Sequence, residues 1–169
     1  MIGNTAFWEG TGYEDLLLKK DESEGTFSDT GGQHTVTYAE GESLPEGQYF
    51  LYMFNNNFGG SESREFDWTT IPGIETSVSD GSTSFYYKYL IDESAGTYRL
   101  VQSFEVPFSA YVSSVQEYGS NIIVNSGMAG VFGEYDSEGN LIREYTMELA
   151  KNYIYRVYKY SFSEFFLIV

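Results

Sequence analysis

The chain has 169 residues, of which 25 are acidic and 9 basic, giving a formal net charge of −16 at pH 7. This charge repels nucleic acid and anionic membranes, so neither is expected as a partner. The absence of cysteine and the single histidine exclude disulfides, cysteine–zinc sites and a multi-histidine metal centre within one chain, and no cofactor is expected.

The N-terminal third of the chain predicts an irregular start followed by a hairpin. Residues 5–8 predict a short strand and residues 14–20 one or two helical turns, so that residues 1–33 form an opening strand and loop. Residues 34–38 alternate in polarity like a strand, and residues 48–54 are an unbroken run of β-formers. The two runs predict a β-hairpin.

A second hairpin follows a long polar insertion. Residues 55–82 are rich in Asn, Gly, Ser and Thr, and connections of this length are more often functional or mobile than structural. Residues 85–91 and 97–106 predict two strands across the turn 92–96. They complete a first four-stranded unit at residues 34–107.

A second four-stranded unit is predicted at residues 108–149, and residues 150–169 predict the start of a further one. The strands of the second unit lie at residues 111–118, 122–125, 130–135 and 141–147. With 41% hydrophobic and 18% aromatic residues, chiefly Tyr and Phe, the composition also favours an all-β fold.

A recurrence connects the second unit with the third. Residues 111–118 return about 42 residues later as residues 153–160, with Tyr, Val and Tyr in the same three places. Four strands in a period of 40 to 45 residues are typical of a β-propeller blade. The sequence therefore predicts a partial β-propeller with two complete four-stranded blades and flanking strands.

An open stack of blades leaves sheet edges unpaired and the apolar end at residues 165–169 uncovered. Three arrangements would cover them. The chain is the remainder of a longer propeller, or copies associate as a homo-oligomer, or the terminal strands fold back into a sandwich-like domain. No apolar run is long enough to span a membrane, and residues 1–4 lack the pattern of a signal peptide.

Several short motifs stand in a defined order along the chain. They are Phe7-Trp8-Glu9-Gly10, Gly32-Gln33-His34, the run from Leu44 to Asn56, Tyr89-Leu90-Ile91-Asp92 with Gly96-Thr97, and Asn125-Ser126-Gly127. Their order and spacing resemble the C-terminal part of the bacterial aryl-sulfate sulfotransferases. The resemblance implies the last blades of a six-bladed propeller and a periplasmic or secreted location.

The resemblance also implies an activity. Members of the family transfer a sulfuryl group from an aryl sulfate to a phenol without a nucleotide donor, through a sulfated histidine, while other histidines and an arginine hold the sulfate oxygens. Imidazole is a nucleophile near neutral pH, and donors aimed at the sulfuryl oxygens stabilise the charge that develops on them.

The family's site residues carry over incompletely. His34 matches a sulfate-binding histidine and is the candidate catalytic residue. Ser84-Phe85 stands where the family has its arginine, and Asn125 stands where it has the sulfated histidine. Arg64, on the insertion, is the candidate substitute cation, and Asn125 becomes a candidate substrate-binding residue.

Tyr111 is a further candidate for contact with an aromatic substrate, although tyrosines on strands mostly serve cross-strand packing. Three functions stay open. The chain is part of an active transferase whose other residues lie upstream, a binding module for an aryl sulfate or a phenolic molecule, or a structural or assembly protein built from blades. Because two expected site residues are replaced, we expect the isolated chain to be inactive.

Overall fold

The computed structural model describes residues 1–41, 43–148, 150 and 152–162, which form an all-β fold of two sheets. The first sheet has the strand order β1-β5-β4-β3-β2, and the second has the order β6-β7-β8-β9. The strands of the first sheet are β1 Lys19–Lys20, β2 Gln33–Ala39, β3 Gln48–Asn55, β4 Ser84–Asp92 and β5 Thr97–Val106. Those of the second are β6 Ser114–Tyr118, β7 Asn121–Ser126, β8 Val131–Tyr135 and β9 Leu141–Thr146.

Antiparallel pairing follows the order of the chain in both sheets, which confirms the two predicted four-stranded groups. β3 and β4 pair along their full lengths, from Gln48 opposite Asp92 to Asn55 opposite Phe85. The turn from β4 to β5 is closed by the Asp92 carboxylate, which accepts a hydrogen bond from the Ala95 amide at 2.8 Å. The short β1 is an addition that the sequence did not predict, and it pairs in parallel with β5.

The two sheets pack face to face through alternate residues of their strands. Tyr52, Tyr86 and Phe104 of the first sheet meet Val124 and Tyr135 of the second. The ring of Phe104 packs on the rings of both Tyr86 and Tyr135, and its centroid lies 4.9 Å from each of theirs. This interface is one of two apolar cores.

A charged contact between side chains of the two sheets lies at the same interface. The Tyr86 hydroxyl donates to Glu117 Oε1 at 2.5 Å, and Lys88 Nζ lies 2.9 Å from the same oxygen. Burial, together with the hydrogen bond to Glu117, raises the pKa of the Tyr86 hydroxyl well above its usual range. Tyr86 therefore stays protonated and donates to the carboxylate at any ordinary pH.

The outer face of the first sheet is covered by the start of the chain. Ile2, Leu18 and Phe27 pack on a second core that includes Tyr89 and Tyr98. The Phe27 ring lies 5.9 Å from Tyr89 and 5.8 Å from Tyr98. Residues 1–33 therefore act as a cover over this sheet.

The long connection between β3 and β4 is also folded onto the sheet. Phe58 and Glu75 form an isolated bridge, supported by a hydrogen bond of 2.8 Å from the Gly59 amide to the Glu75 carbonyl. Ile71 and Ile74 are buried. The insertion thus contains a backbone bridge and two buried apolar side chains.

Three predicted elements differ in the structure. Thr5–Trp8 is a helical turn instead of a strand, because the Asn4 side chain caps it by accepting from the Phe7 amide at 3.1 Å. The strand predicted at 111–118 begins only at Ser114, since Val112 and Ser113 have φ of +56° and +98°. Residues 153–160 form no strand.

The helical prediction at residues 14–20 is confirmed in part, by a 3₁₀ turn at Glu14–Leu16; a second 3₁₀ turn lies at Trp68–Thr70. None of the helices within the described ranges is long and apolar enough to cross a membrane. The apolar end predicted at residues 165–169 lies outside the described residues.

The contact between Glu117, Tyr86 and Lys88 predicts a measurable contribution to stability. Replacing Glu117 by Gln leaves the Lys88 ammonium in the interface without its counter-ion, so we expect a loss of about 1–2 kcal/mol in the free energy of unfolding. Urea titration followed by tryptophan fluorescence measures it. The control Glu138→Gln, on the exposed turn between β8 and β9, should change stability by less than about 0.5 kcal/mol, and equal effects of the two variants would contradict a role for the contact.

Candidate functional site

Buried polar side chains gather where strands of both sheets end. β3 ends, β4 begins, β6 begins and β7 ends at the same side of the molecule, because neighbouring strands run in opposite directions. Four of these residues form one hydrogen-bonded group, which we call the strand-end cluster: Asn56, Ser84, Ser109 and Ser113. Each of them is at most 1% exposed.

His34 lies at the edge of the strand-end cluster, near the start of β2. Its Nδ1 is 2.6 Å from Asn56 Oδ1. Directly after it the β2–β3 register shifts, and Thr35 adopts a left-handed conformation with φ of +55°. The Thr35 hydroxyl donates to the Ser113 carbonyl at 3.4 Å. This irregularity brings the first residues of β2 against the loop that precedes β6.

Asn56 connects the two sheets at this point. Its backbone amide donates to the Gly32 carbonyl at 2.8 Å, just before β2. Its side-chain nitrogen donates to the carbonyls of Ser109 and Val112, at 2.7 and 3.0 Å, in the loop that leads to the second sheet. One amide side chain therefore binds His34 of the first sheet and two carbonyls at the edge of the second.

The three serines complete the network. Ser84 Oγ donates to the Asn56 carbonyl at 2.9 Å and accepts from the Ser109 amide at 3.0 Å. Ser109 Oγ accepts from Ser113 Oγ at 2.9 Å and from the Met128 amide at 3.1 Å. Hydroxyls act both as donors and as acceptors, which allows a water-poor site to satisfy several backbone groups without a formal charge.

Gln33, next to His34, lines an aromatic groove. The groove has a volume of about 240 Å³, and its wall includes the rings of Phe7, Trp8 and Trp68. Phe7 and Trp68 are stacked with their centroids 5.2 Å apart. Flat rings at this spacing offer a surface for another aromatic group.

Arg64 does not join His34 in the described part of the chain. Its guanidinium donates to the carbonyls of Phe7 and Glu9, at 2.7 and 2.8 Å. These two bonds attach the insertion to the end of the N-terminal helical turn.

Asn125 is fully buried and faces away from His34's sheet. It lies opposite Ser114 in the β6–β7 pairing, and its side-chain nitrogen donates to the Ile154 carbonyl at 3.1 Å. Its Oδ1 has no hydrogen-bond partner among the described residues. In this structure Asn125 holds the segment after β9 against the second sheet.

Tyr111 is 47% exposed and lies in the loop whose carbonyls bind Asn56. Its ring meets Tyr153 edge to face at 6.0 Å. Phe85, at the position expected for the family's arginine, stacks on Tyr87 at 5.4 Å, whereas the preceding Ser84 belongs to the strand-end cluster. The structure thus places His34, Tyr111 and Asn125 at the same end of the sheets, but the Asn125 side chain binds the segment after β9. Arg64 binds the N-terminal segment instead.

Residues 153–160 lie on the outer face of the second sheet, held by side chains. Ser114 Oγ accepts from the Val157 amide at 3.0 Å, and Gln116 Oε1 accepts from the Lys159 amide at 2.8 Å. The Lys159 ammonium, hydrogen-bonded to Glu134 at 2.5 Å, is the main reason why the pKa of the Glu134 carboxyl lies below its usual value.

The strand-end cluster was not predicted from the sequence. One signal was present: Asn55-Asn56-Asn57 follows an unbroken apolar strand, and all three side chains are buried. Three consecutive amides at the buried end of a strand require hydrogen-bond partners from other segments. The partners of Asn56 lie in a loop more than fifty residues later. The spacing of residues along the sequence does not identify them.

Comparison with protein families identifies a related family. A family model described as Arylsulfotransferase (ASST) matches residues 1–156 of the chain. Comparison with curated proteins gives no match.

The close approach of Gly127 to the Ile154 carbonyl predicts that any side chain there will displace the segment 153–160. A Cβ on Gly127 would collide with that oxygen, and with Val112 Cγ2 at 2.8 Å. We expect Gly127→Ala to cost about 1–3 kcal/mol and to accelerate chymotryptic cleavage after Tyr158. The control is Gly81→Ala, since a Cβ at Gly81 meets nothing within 4 Å; equal stability and cleavage rates in the two variants would contradict the prediction.

Proposed function

The chain belongs to the arylsulfotransferase family, and from this premise we propose that it contributes a binding site for an aryl sulfate or a phenol centred on His34. The observation that supports the proposal is the environment of the imidazole. Asn56 holds Nδ1, while Nε2 makes no hydrogen bond to any of the described residues. Nε2 is therefore the nitrogen at which a ligand binds.

Transfer of the sulfuryl group makes a further demand on a site of this kind. In the family's reaction a histidine nitrogen bonds to sulfur as the aryl C–O–S ester breaks at its O–S bond, and the phenolate leaves; the acceptor phenol then takes the sulfuryl group and loses its proton. Charge on the sulfuryl oxygens requires cationic donors. Within the described residues no Lys or Arg is hydrogen-bonded or ion-paired to His34, so we propose that the isolated chain binds and does not turn over.

We further propose that the two sheets are adjacent blades of a propeller. Two observations support this: each sheet contains four antiparallel strands in chain order, and their apolar faces pack together. In this arrangement β2 and β6 are the innermost strands, and His34 and Tyr111 stand near their first residues, at the mouth of the central funnel.

The proposal predicts binding without turnover. Incubation with 4-nitrophenyl sulfate and phenol should release no more nitrophenol than buffer does, while calorimetry detects aryl-ligand binding that His34→Ala weakens at least about tenfold. The control Val36→Ala changes an exposed side chain of the same strand and should bind like the wild type.

Turnover that disappears in His34→Ala would overturn the proposed inactivity and identify His34 as the nucleophile. Turnover or binding that His34→Ala leaves unchanged would contradict a site at His34.

A second candidate function, assembly, is favoured by the surface of β9. All six residues of this edge strand are exposed, among them Leu141, Ile142 and Tyr145 at 52%, 54% and 42%. An unpaired edge with apolar side chains on both faces tends to acquire a further strand or a partner surface. We propose that β9 meets either a second copy of the chain or a further part of the same propeller.

Assembly through β9 predicts concentration-dependent light scattering of the isolated chain. Ile142→Lys should shift the mass toward the monomer by adding a charge to the edge, whereas Val78→Lys, a control at an exposed position of the insertion, should leave the mass unchanged. A monomer at all concentrations would contradict self-association.

A further inference from the structure

We propose that Asn56 is a positioning residue that holds His34 in the tautomer with its proton on Nδ1, so that neutral His34 presents an unprotonated Nε2. The use of this tautomer for a ligand rests on the proposed function. The tautomer itself follows from hydrogen bonds within the chain.

The orientation of the Asn56 amide is determined by its donors. Its side-chain nitrogen carries two hydrogens, and both have carbonyl partners, Ser109 at 2.7 Å and Val112 at 3.0 Å. A carbonyl cannot donate. Rotating the amide by 180° would place Oδ1 against two acceptor oxygens and lose both bonds in a site where Asn56 is fully buried.

The orientation of Asn56 determines the proton position on His34. Oδ1 can only accept, and it lies 2.6 Å from His34 Nδ1. Nδ1 must therefore carry the hydrogen. A neutral imidazole has a single N–H, so Nε2 is left with a free lone pair.

The carbonyls that bind Asn56 are themselves fixed. The amide of Ser109 donates to Ser84 Oγ at 3.0 Å, and Ser109 Oγ accepts from the Met128 amide at 3.1 Å. The loop before β6 is thereby attached to β4 and to the residues after β7. The tautomer of His34 consequently depends on the contact between the two sheets.

An unprotonated Nε2 selects among ligands. It accepts a hydrogen bond from a phenol hydroxyl, whereas a sulfate oxygen, which only accepts, finds no donor there. The ligand class that neutral His34 recognises is therefore the neutral phenol, in the role of the sulfuryl acceptor. This deepens the proposed function by assigning His34 to the phenol side of the site.

The test uses the single histidine of the chain. In a sample labelled with ¹⁵N at histidine, the imidazole nitrogens give one pair of signals, and long-range ¹H–¹⁵N correlation at a pH where His34 is neutral identifies the tautomer. We expect Nδ1 in the protonated range and Nε2 in the unprotonated range. A wild-type spectrum of the Nε2–H tautomer, the form that free imidazole side chains favour in water, would overturn the proposal.

Two variants separate positioning from general destabilisation. Asn56→Ala removes the acceptor opposite Nδ1 and should convert the spectrum to the Nε2–H form. Ile91→Val shortens a fully buried side chain near the far end of β4, so it should lower stability and leave the tautomer unchanged. If Asn56→Ala is unfolded, the wild-type spectrum decides alone; a folded Asn56→Ala with an unchanged tautomer would overturn the proposal.

Phenol, which is neutral at pH 7, tests the ligand assignment separately. We expect Asn56→Ala to weaken phenol binding about tenfold relative to Ile91→Val, and phenol to shift the Nε2 signal of the wild type. No phenol binding by the wild type would overturn the ligand assignment and the proposed site, while the tautomer result would stand. Equal phenol affinities of the two variants would show that Asn56 does not position His34 for this ligand.

Discussion

The packing of two sheets face to face buries the polar ends of their strands, and every group there requires a hydrogen-bond partner. Asn56 and Ser84 come from the first sheet and its connection, and Ser109 and Ser113 from the link to the second. Each satisfies groups of another segment, so the sheets cannot separate at this end without leaving several buried donors and acceptors unpaired. The cost of such groups, about 1–3 kcal/mol each, makes this the constraint on which the position of His34 depends.

At the opposite side of the same interface the sheets are joined differently. Tyr86, Lys88 and Glu117 contribute one charged contact among stacked rings. The apolar stack supplies area, while the directional contacts at the two ends restrict how one sheet slides or rotates on the other. Buried apolar area alone does not determine how the two sheets are aligned, since side chains of similar size pack in more than one alignment.

Most strands were predictable because local periodicity and apolar runs determine them, as β3 illustrates with seven consecutive β-formers. The elements that were predicted wrongly depend on side-chain hydrogen bonds, which leave no periodic pattern in the sequence. A single capping side chain, Asn4, turned residues 5–8 into a helix. Residues 153–160 share the pattern of residues 111–118, but their backbone groups bind the side chains of Ser114 and Gln116 in place of a neighbouring strand.

The candidate site was predictable only in part. His34 was found because it is the single histidine and matches a family motif. Asn56 was not, because its function arises from contacts 53 and 56 residues away, and side-chain partners at that separation depend on the completed fold. Asn125 was inferred from the family alignment, and Arg64 was inferred as a substitute cation on the insertion. Their observed bonds to backbone carbonyls could not be anticipated from neighbouring sequence.

The uncharged composition of the strand-end cluster has a kinetic consequence in a chain with a net charge of −16. An anionic sulfate ester approaching His34 meets long-range repulsion that no cation of the cluster offsets, and this repulsion weakens as salt shortens the Debye length, about 8 Å at physiological ionic strength. A neutral phenol approaches at a rate that is almost independent of salt. At the proposed site, the surface field and the uncharged cluster therefore favour the approach of a neutral phenol over that of an anionic sulfate ester.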